Sequence, residues 1–329
     1  MLHSEILALF GKNTQAKLFK TLPPLETTVM DTVFKNRVQH PMAVIGTKDI
    51  IEITQTAPVI GRSAPATPVS EGLSTYNFIE PLAVNPSDFV SAGEMNDMRT
   101  WGLANREAWL KSKQDKLRKI VRRSTEGMAA GVLSGTLSWP LKLESGGWDT
   151  YEVSFGTPLS YIPAKKWDAA GATIVDVYNT LMQMRKTLRK KGYGGTIEIW
   201  AGDTVYLSLL KLVDNVRSTA KQNIRTEKVE AGIDVGGFLV KPMDETFQNP
   251  RTKAATDKVS PTKLCMIALD AGHTLYYCAL DDLDARLQPL PFFLKPILKK
   301  NPSGIDVLGM SKPLPVINPN GVCWSTLTD

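Results

Sequence analysis

Two glycine-containing motifs are the first places where the sequence could carry enzymatic chemistry. Gly61-Arg62-Ser63-Ala64-Pro65 approaches the G-x-S-x-G motif that exposes a nucleophilic serine on a sharp turn, but proline stands at its last position. Gly192-Tyr193-Gly194-Gly195 begins a dinucleotide-binding fingerprint, yet it lies between a predicted helix and a predicted strand, the reverse of the required order. The sequence contains no P-loop. We therefore predict neither acyl transfer nor nucleotide binding, and we interpret the second motif as a connector.

The residues that most often ligate metals or act as nucleophiles are few and widely separated. The histidines lie far apart in the sequence, at His3, His40 and His273. The cysteines lack a CxxC spacing and are odd in number, at Cys265, Cys278 and Cys323. We interpret them as reduced, mostly buried thiols in a cytosolic setting. The sequence thus predicts no catalytic residue, no metal site and no cofactor.

One acidic cluster remains, formed by Asp281, Asp282 and Asp284. A calcium-binding loop would need a glycine and a distal glutamate at fixed positions, and neither is present. We interpret these carboxylates as a charged surface or as salt-bridge partners for basic residues of a neighbouring subunit.

The element to which the rest of the chain must attach is the stretch 103–133. Its apolar residues recur at intervals of seven or four residues, which places them on one stripe of an uninterrupted helix about 45 Å long. These apolar residues are Leu103, Leu110, Leu117, Val121, Met128 and Val132. The opposite side is basic, with Lys111, Lys113, Lys116, Arg118, Lys119, Arg122 and Arg123. Such a run is either a solvated surface or a contact with a polyanion or with acids of a neighbour.

The segments before this helix resemble an arm and a projecting hairpin. Residues 1–45 contain Pro23-Pro24 and too little apolar surface for a core of their own, so we expect them to lie on their own body or on another subunit. Lys48–Thr56 and Leu73–Leu82 are predicted strands joined by a loop rich in proline and glycine. A long two-stranded ribbon is marginally stable alone, which favours contact with a partner.

The chain after the helix alternates between strands and helices. Thr136–Leu143 and Thr150–Phe155 predict a second hairpin, with Trp139 and Trp148 as packing aromatics. Residues from about 161 predict helices at 173–191 and 203–213 and strands at 196–200, 232–243, 263–269 and 276–280. The proline-rich end predicts strands at 305–310, 313–317 and 322–327, the last two joined as a hairpin by Asn318-Pro319-Asn320-Gly321. Prolines near these strands indicate sheet edges.

Composition is that of a protein without a membrane-spanning segment, with 43% hydrophobic residues and no apolar run long enough to cross a bilayer. The start of the chain does not have the pattern of a secretory signal. The net charge of +6 is compatible with proximity to nucleic acid. It is clustered at Lys12, Lys17 and Lys20, in the long helix and at Arg185–Lys191.

The order of these elements resembles the major capsid protein of tailed phages, in the lambda-type branch known as the phage capsid protein E family. Three local runs support the resemblance: Val84-Asn85-Pro86 after the hairpin, the block Thr274–Ala285 (TLYYCALDDLDA), and Ser311–Val316 (SKPLPV) before Asn-Pro-Asn-Gly. The resemblance implies the α+β Hong Kong 97-like (Johnson) fold. It divides the chain into an N-terminal arm (1–45), an E-loop hairpin (46–85), a peripheral domain (86–160), an axial domain (161–285) and return strands of the peripheral domain (286–329). The spine helix, at about 103–134, belongs to the peripheral domain.

The resemblance also implies a function and partners. The chain would assemble into hexamers and pentamers that form an icosahedral head around double-stranded DNA, after assembly in the host cytoplasm. Inter-subunit contacts would come from the E-loop residues Ile51, Ile53, Arg62, Tyr76 and Phe78. Neighbouring subunits or DNA phosphates would contact Lys12, Lys17, Lys20, Lys119, Arg122 and Arg123. Because the arm begins close to Met1, a separate scaffolding protein or a removed pro-segment is expected, with a portal and, by analogy, a decoration protein as further partners.

Two other functions remain open at this point. An encapsulin-type cellular compartment shares the fold but encloses enzymes, and a non-specific DNA-binding protein would explain the basic helix but not the arm and hairpin. No lysine occurs between Lys48 and Lys111. An isopeptide bond from the tip of the E-loop, as in some relatives of this fold, is therefore not expected, and the shell should be non-covalent.

Overall fold

The computed structural model describes residue 22 and residues 24–46, 78–218 and 224–329. Helices and strands both contribute, as the α+β prediction requires. The α-helices of these ranges are α1 (Thr28–Thr32), α2 (Ala92–Asp97), α3 (Leu103–Val132), α4 (Ile174–Arg189) and α5 (Asp203–Ser218). Strands before residue 161 are β1 (Asn36–His40), β2 (Ile45–Gly46), β3 (Phe78–Ile79), β4 (Ser87–Ser91), β5 (Thr136–Lys142), β6 (Trp148–Ser154) and β7 (Leu159–Ser160).

The remaining strands alternate with α4 and α5 or follow them. They are β8 (Ile197–Ala201), β9 (Thr226–Val229), β10 (Gly232–Val235), β11 (Phe238–Pro242), β12 (Thr246–Gln248), β13 (Ala255–Asp257), β14 (Lys263–Ala268), β15 (Thr274–Cys278), β16 (Phe293–Lys300), β17 (Ser303–Met310), β18 (Pro313–Val316) and β19 (Val322–Thr326). Short 3-10 helices lie at Met98–Thr100 and Pro319–Gly321.

The spine helix α3 follows the predicted pattern closely. Leu110, Leu117, Val121, Met128 and Val132 are all buried, so the predicted apolar stripe is the side that packs. Its first half contacts β4 and β17, and its second half packs in the core shared with α1, β5 and β18. One helix therefore connects two separate clusters of buried side chains.

A seven-stranded mixed sheet forms the other half of the molecule, in the order β7-β19-β14-β8-β11-β10-β9. Helix α4 buries Ile174, Val177, Leu181, Met184 and Leu188, a spacing of threes and fours that places them on one face. These residues, residues of α5 and alternate side chains of the sheet, such as Met266 and Cys323, form one core. The neighbouring strand residues Cys265 and Val322 face the core around α3, so this sheet separates the two cores.

Smaller sheets complete the fold. Strands β1, β15 and β18 form one three-stranded sheet, and β16, β17 and β4 form another. Three two-stranded ribbons pair β2 with β3, β5 with β6 and β12 with β13. The β2–β3 pair joins Ile45 to Ile79 and Gly46 to Phe78 at the two ends of the chain segment 47–77, which lies outside the described residues.

The last predicted hairpin is wrong. Strands β18 and β19 are adjacent in sequence but lie in different sheets, where β18 pairs with β15 and β19 pairs with β14 and β7. The Asn318 side chain accepts the Asn320 N–H, and Pro319 begins a 3-10 turn instead of a hairpin turn. Gly321 is tightly enclosed, because a Cβ there would lie 2.2 Å from the Cβ of Ala271. This segment therefore crosses between sheets. The expectation of edge strands is confirmed for β18, which is the edge of its sheet, but it is wrong for β17 and β19, which lie between β16 and β4 and between β7 and β14.

Three further differences follow from turns that sequence periodicity did not separate. The predicted strand at 232–243 is the hairpin β10–β11, because Gly236 and Gly237 adopt positive φ angles of 61° and 89° and turn the chain. The predicted polar loop 244–260 contains the ribbon β12–β13. Strand β16 was not predicted; it forms an eight-residue antiparallel pair with β17.

Candidate functional site

The predicted E-loop contacts fall mostly outside the described part of the chain. Ile51, Ile53, Arg62 and Tyr76 belong to 47–77, and Lys12, Lys17 and Lys20 precede residue 22. Phe78 is described, and its side chain is 67% exposed at the base of the hairpin. The role of these residues stays a prediction.

Five of the seven basic residues predicted on one side of α3 form ion pairs with acids of the same chain. Lys119 pairs with Asp115 at 2.5 Å, and Lys113 and Lys116 both reach Asp88, at 3.2 and 3.1 Å. Arg122 Nη2 donates to Asp31 Oδ1 at 2.6 Å. Within the ranges that the structure describes, Arg123 is exposed and has no ion-pair partner. Of the helix residues proposed to contact DNA or a neighbour, Lys119 and Arg122 therefore have their charge compensated inside the subunit.

Asp31 is the point where the N-terminal segment is attached to the spine helix. Its carboxylate pairs with Arg37 of β1 as well as with Arg122 of α3, and it accepts the Thr27 N–H at 2.7 Å. Burial alone would raise the pKa of Asp31, but these hydrogen bonds outweigh burial and hold the pKa below its usual value. Residues 29–34 pack here through Val29, Met30, Val33 and Phe34, all buried in the core around α3.

A buried ion pair lies on the inner side of the same attachment. Glu126 of α3 accepts the backbone N–H groups of Val29 and Met30 at 2.8 and 2.9 Å, which caps the start of α1. Lys258, which follows the β12–β13 ribbon, donates to Glu126 at 2.5 Å and also to Glu245. Sequence reasoning missed this site, although an acid within the apolar half of α3 was a signal for it.

An open cavity of about 1170 Å³ lies beside this pair. Its walls come from α1, from α3 between Ile120 and Glu126, and from the β12–β13 ribbon. Its lining mixes hydroxyl groups of Thr27, Thr28 and Ser124 with apolar side chains such as Ile120 and Phe247. This open, mixed cavity differs from the enclosed, mostly apolar pocket expected of a small-molecule site.

The acidic cluster, interpreted from the sequence as a charged surface or as salt-bridge partners for a neighbouring subunit, forms ion pairs within its own chain. Asp281 binds the buried Lys312 at 2.8 Å, and Asp282 and Asp284 both bind Lys295 of β16. The side chains of Asp281 and Asp284 remain 67% and 73% exposed, as a charged surface requires. Pairing with a neighbouring subunit stays a prediction.

Two buried cysteines and His273 have pKa values shifted toward their neutral forms. Burial raises the pKa of Cys278 to about 11 and that of Cys323 to about 12, so both remain thiols. Burial lowers the pKa of His273 to about 4, so this imidazole is neutral. Among the described residues, no group of three or more His, Cys, Asp or Glu side chains could hold a metal ion. No described helix is both long enough and apolar enough to cross a bilayer.

Some of the exposed large apolar side chains lie on two-stranded ribbons, and others, such as Ile162 and Leu283, lie outside them. Leu143 and Trp148, at the tip of the β5–β6 hairpin, are each 40% exposed, so the prediction that Trp148 is a packing aromatic is wrong, whereas Trp139 stacks on Phe247. Phe78 of the β2–β3 pair is exposed at the base of the 47–77 segment.

Comparison with solved structures identifies the architecture. The structure described as the crystal structure of the putative capsid protein of a prophage of E. coli CFT073 matches with a TM-score of 0.65 at 14% identity, covering 96% of this chain and 98% of that chain. The mature capsid of bacteriophage PhiM1 matches with a TM-score of 0.49 at 10% identity over 94% and 89% of the two chains. The encapsulin SrpI of Synechococcus elongatus PCC 7942 matches at 0.41 and 8% identity over 96% and 95%. A long spine helix beside a helix-covered sheet, with an extended hairpin base, is thus a Hong Kong 97-like capsid fold.

The chain belongs to the phage major capsid protein E family, whose model matches residues 13–327. No sequence among curated proteins matches it significantly. The protein is accordingly a subunit of the phage head shell, a structural protein that functions by associating with copies of itself in the virion.

Proposed function

We propose that this subunit forms hexamers and pentamers that close into an icosahedral head around packaged double-stranded DNA. Family membership and the capsid fold support this assembly. Rings of five and six require nearly the same contacts at different angles. A subunit suited to this task combines rigid packed parts with projecting parts that lie on neighbours, and it has no need for catalysis.

The observation that carries the proposal is the exposure of large apolar side chains on projecting ribbons. Phe78 at the base of the 47–77 segment is 67% exposed, and Leu143 and Trp148 are exposed at the tip of β5–β6. Two-stranded ribbons are marginally stable alone in water. Their burial under a neighbouring copy would add the apolar contact that subunit interfaces require.

The proposed division of labour follows the predicted domains. The arm (1–45) and the E-loop (46–85) overlap neighbours, and the peripheral domain (86–160 with 286–329) is the rigid tile around α3. The axial domain (161–285) meets its copies at the centre of each ring. Within the arm, Val29, Met30, Val33 and Phe34 are buried on their own subunit. We assign the overlap with neighbours to other parts of the arm.

Further partners are part of the proposal. A separate scaffolding protein directs assembly in the host cytoplasm, a portal occupies one vertex, and a decoration protein can reinforce a shell that has no covalent cross-links. DNA is contacted through phosphates without sequence preference.

Negative-stain electron microscopy of the purified full-length chain, with and without a co-expressed scaffolding protein, tests this function. Closed shells with fivefold and sixfold rings are the expected result. A monodisperse monomer under all assembly conditions would contradict the proposal, and shells that enclose protein cargo instead of DNA would favour a cellular compartment.

A further inference from the structure

The C-terminal end of α4 is a firmly held corner of the molecule. The stripe from Ile174 to Leu188 is fully buried against the seven-stranded sheet, so the helix cannot rotate. Beyond its end, Gly192 and Gly194 adopt positive φ angles of 90° and 107°. The Asp270 carboxylate accepts the N–H groups of Gly194 and Gly195 at 3.3 and 2.9 Å, which fixes the turn that follows.

Five cations lie within seven residues at this corner: Arg185, Lys186, Arg189, Lys190 and Lys191. The last four are exposed, and none of the five forms an ion pair within the described part of the chain. Arg185 lies over the Phe238 ring, 5.7 Å from its centroid, which anchors the guanidinium at the inner edge of the group.

Two acids near this corner in the sequence, Asp176 and Glu198, and one brought to it by the fold, Asp270, are already engaged. Asp176 forms the capping box at the start of α4, Glu198 binds Lys241 at 2.6 Å, and Asp270 accepts the glycine amides. This arrangement is the opposite of that on α3, where Lys113, Lys116, Lys119 and Arg122 are compensated by Asp88, Asp115 and Asp31. Within the described ranges Lys111 and Arg123 of α3 also form no ion pair, but they lie twelve residues apart, whereas the five cations at the end of α4 fall within seven residues. The densest group of cations without an ion pair in the described ranges is therefore at the end of α4.

The chemistry of this corner fits phosphates better than a protein surface. Protein interfaces depend on buried apolar and aromatic anchors. No large apolar side chain from residue 183 to residue 206 is exposed in the structure, and Met182, one turn earlier, is the nearest along the chain. Lysine and arginine without an apolar anchor are typical of contacts to a nucleic-acid backbone, which are electrostatic and independent of sequence.

We propose that the basic corner of α4, formed by Arg185, Lys186, Arg189, Lys190 and Lys191, binds the phosphate backbone of nucleic acid. This inference rests on the proposed function and deepens it, because it names the surface that enclosed DNA contacts. It also assigns the contact to a region other than the α3 residues Lys119 and Arg122.

Fluorescence anisotropy of the unassembled full-length chain with a labelled 30-base-pair duplex tests the proposal at several salt concentrations. The variant carries Lys186→Gln, Arg189→Gln, Lys190→Gln and Lys191→Gln. The matched control removes the same charge at four exposed cations that form no ion pair in the described ranges, as Lys211→Gln, Arg251→Gln, Lys263→Gln and Lys300→Gln. Each lost phosphate contact reduces the slope of log K against log salt by about 0.9.

The corner variant should lose about tenfold or more in affinity for the duplex at low salt, and its slope of log K against log salt should be smaller by about three to four. The control variant should keep most of the wild-type affinity and most of the wild-type slope. Equal losses in the two variants would show that only net charge matters and would overturn the proposal. Failure of the wild-type chain to bind the duplex would also overturn it. Binding of poly-glutamate that is equally tight and that depends on the corner residues would overturn it too, because it would indicate an acidic protein as the partner. Electron microscopy of both variants reports shell formation separately, so failure of the assembly function is distinguishable from failure of this inference.

Discussion

Glu126 and Lys258, separated by 132 residues in the chain, form an ion pair at 2.5 Å in which both side chains are almost fully buried. The pair joins three elements, since Glu126 also caps α1 through Val29 and Met30 and Lys258 also binds Glu245. It therefore attaches the N-terminal segment and the β12–β13 ribbon to the spine helix. Several measurable consequences follow from this and from neighbouring contacts.

The substitution Glu126→Gln should lower the free energy of unfolding by about 3 kcal/mol, because it leaves the Lys258 ammonium buried with only Glu245 as a partner. Urea denaturation of the unassembled chain measures this change. The exposed Glu152→Gln variant is the control and should change the free energy by less than about 0.5 kcal/mol. In a double-mutant cycle with Lys258→Met, the two single losses should exceed the double loss by more than about 1 kcal/mol. Simple additivity would show that the pair contributes nothing specific.

Two glycines of α3 should respond in opposite directions to the same change. A Cβ at Gly127 would lie 2.7 Å from the Trp139 ring and 3.1 Å from Phe247, whereas no atom lies within 4 Å of a Cβ at Gly131. Gly131→Ala should therefore stabilise the protein by about 0.5–1 kcal/mol, the usual gain in a helix interior. Gly127→Ala should destabilise it by about 1–3 kcal/mol through overpacking. Thermal unfolding of both variants checks the contrast, and a gain in both would show that Trp139 can move without cost.

His273 should make the protein sensitive to mild acid. Burial lowers its pKa to about 4 from the ordinary value of 6.5, so the unfolded chain binds a proton more readily than the folded chain between these values. Stability should be constant above pH 6.5 and should fall by up to about 3 kcal/mol as the pH drops to 4. Asp31, Asp88 and Glu245, whose pKa values are lowered by hydrogen bonds from cations, add losses only below their ordinary values near 4.

Urea midpoints measured from pH 7.5 to 4.5 for the wild type and for His273→Gln separate these contributions. The variant is less stable at neutral pH, since it loses the hydrogen bond that the Nδ1 atom accepts from the Asn318 N–H. Its dependence on pH in this window should nevertheless be much flatter. The same slope in both proteins would assign the acid sensitivity to another group.

Replacing the exposed ribbon aromatics should affect assembly more than folding. Phe78→Ser and Trp148→Ser should each lower the free energy of unfolding by no more than about 2 kcal/mol, because both side chains are partly exposed in the subunit, at 67% and 40%. The yield of closed shells, measured by sedimentation and electron microscopy, should fall strongly for both. Leu207→Ser, which removes an exposed apolar side chain of α5 away from the ribbons, is the comparison. Undiminished shell yield in the Phe78 and Trp148 variants would remove these ribbons from the interface.

Mature particles should dissociate to monomers on a denaturing gel. An isopeptide cross-link from the tip of the E-loop needs an amine there, and the sequence has no lysine between Lys48, at the base of the loop, and Lys111. Boiled particles should therefore give one band without a ladder of covalent oligomers. A ladder that survives reducing agent would identify a cross-link from another lysine, and mass spectrometry would locate it.

Local sequence pattern predicted the elements with the strongest periodicity. The apolar stripe of α3 and that of α4 are buried as expected, because 3.6 residues per turn brings such spacings to one face whatever the rest of the fold does. Strands β8, β14 and β17 were also located correctly, within a residue or two at their ends. The hairpin predicted between β18 and β19 was wrong, since a turn motif reports local geometry and not the sheet that each strand joins.

The charged residues show most clearly which features the sequence determined and which ones only the tertiary structure decided. The sequence by itself determined a basic side on the spine helix, a second basic cluster at Arg185–Lys191 and an acidic cluster at 281–284. Only the tertiary structure decided that Arg122 is paired with Asp31, that Lys295 and Lys312 form ion pairs with the acidic cluster, and that the cations at the end of α4 form no ion pair in the described ranges. The physical reason is that an ion pair depends on the distance between two atoms in space, and the partners here are separated by 91, 13 and 31 residues along the chain. Periodicity within one element carries no information about such distances.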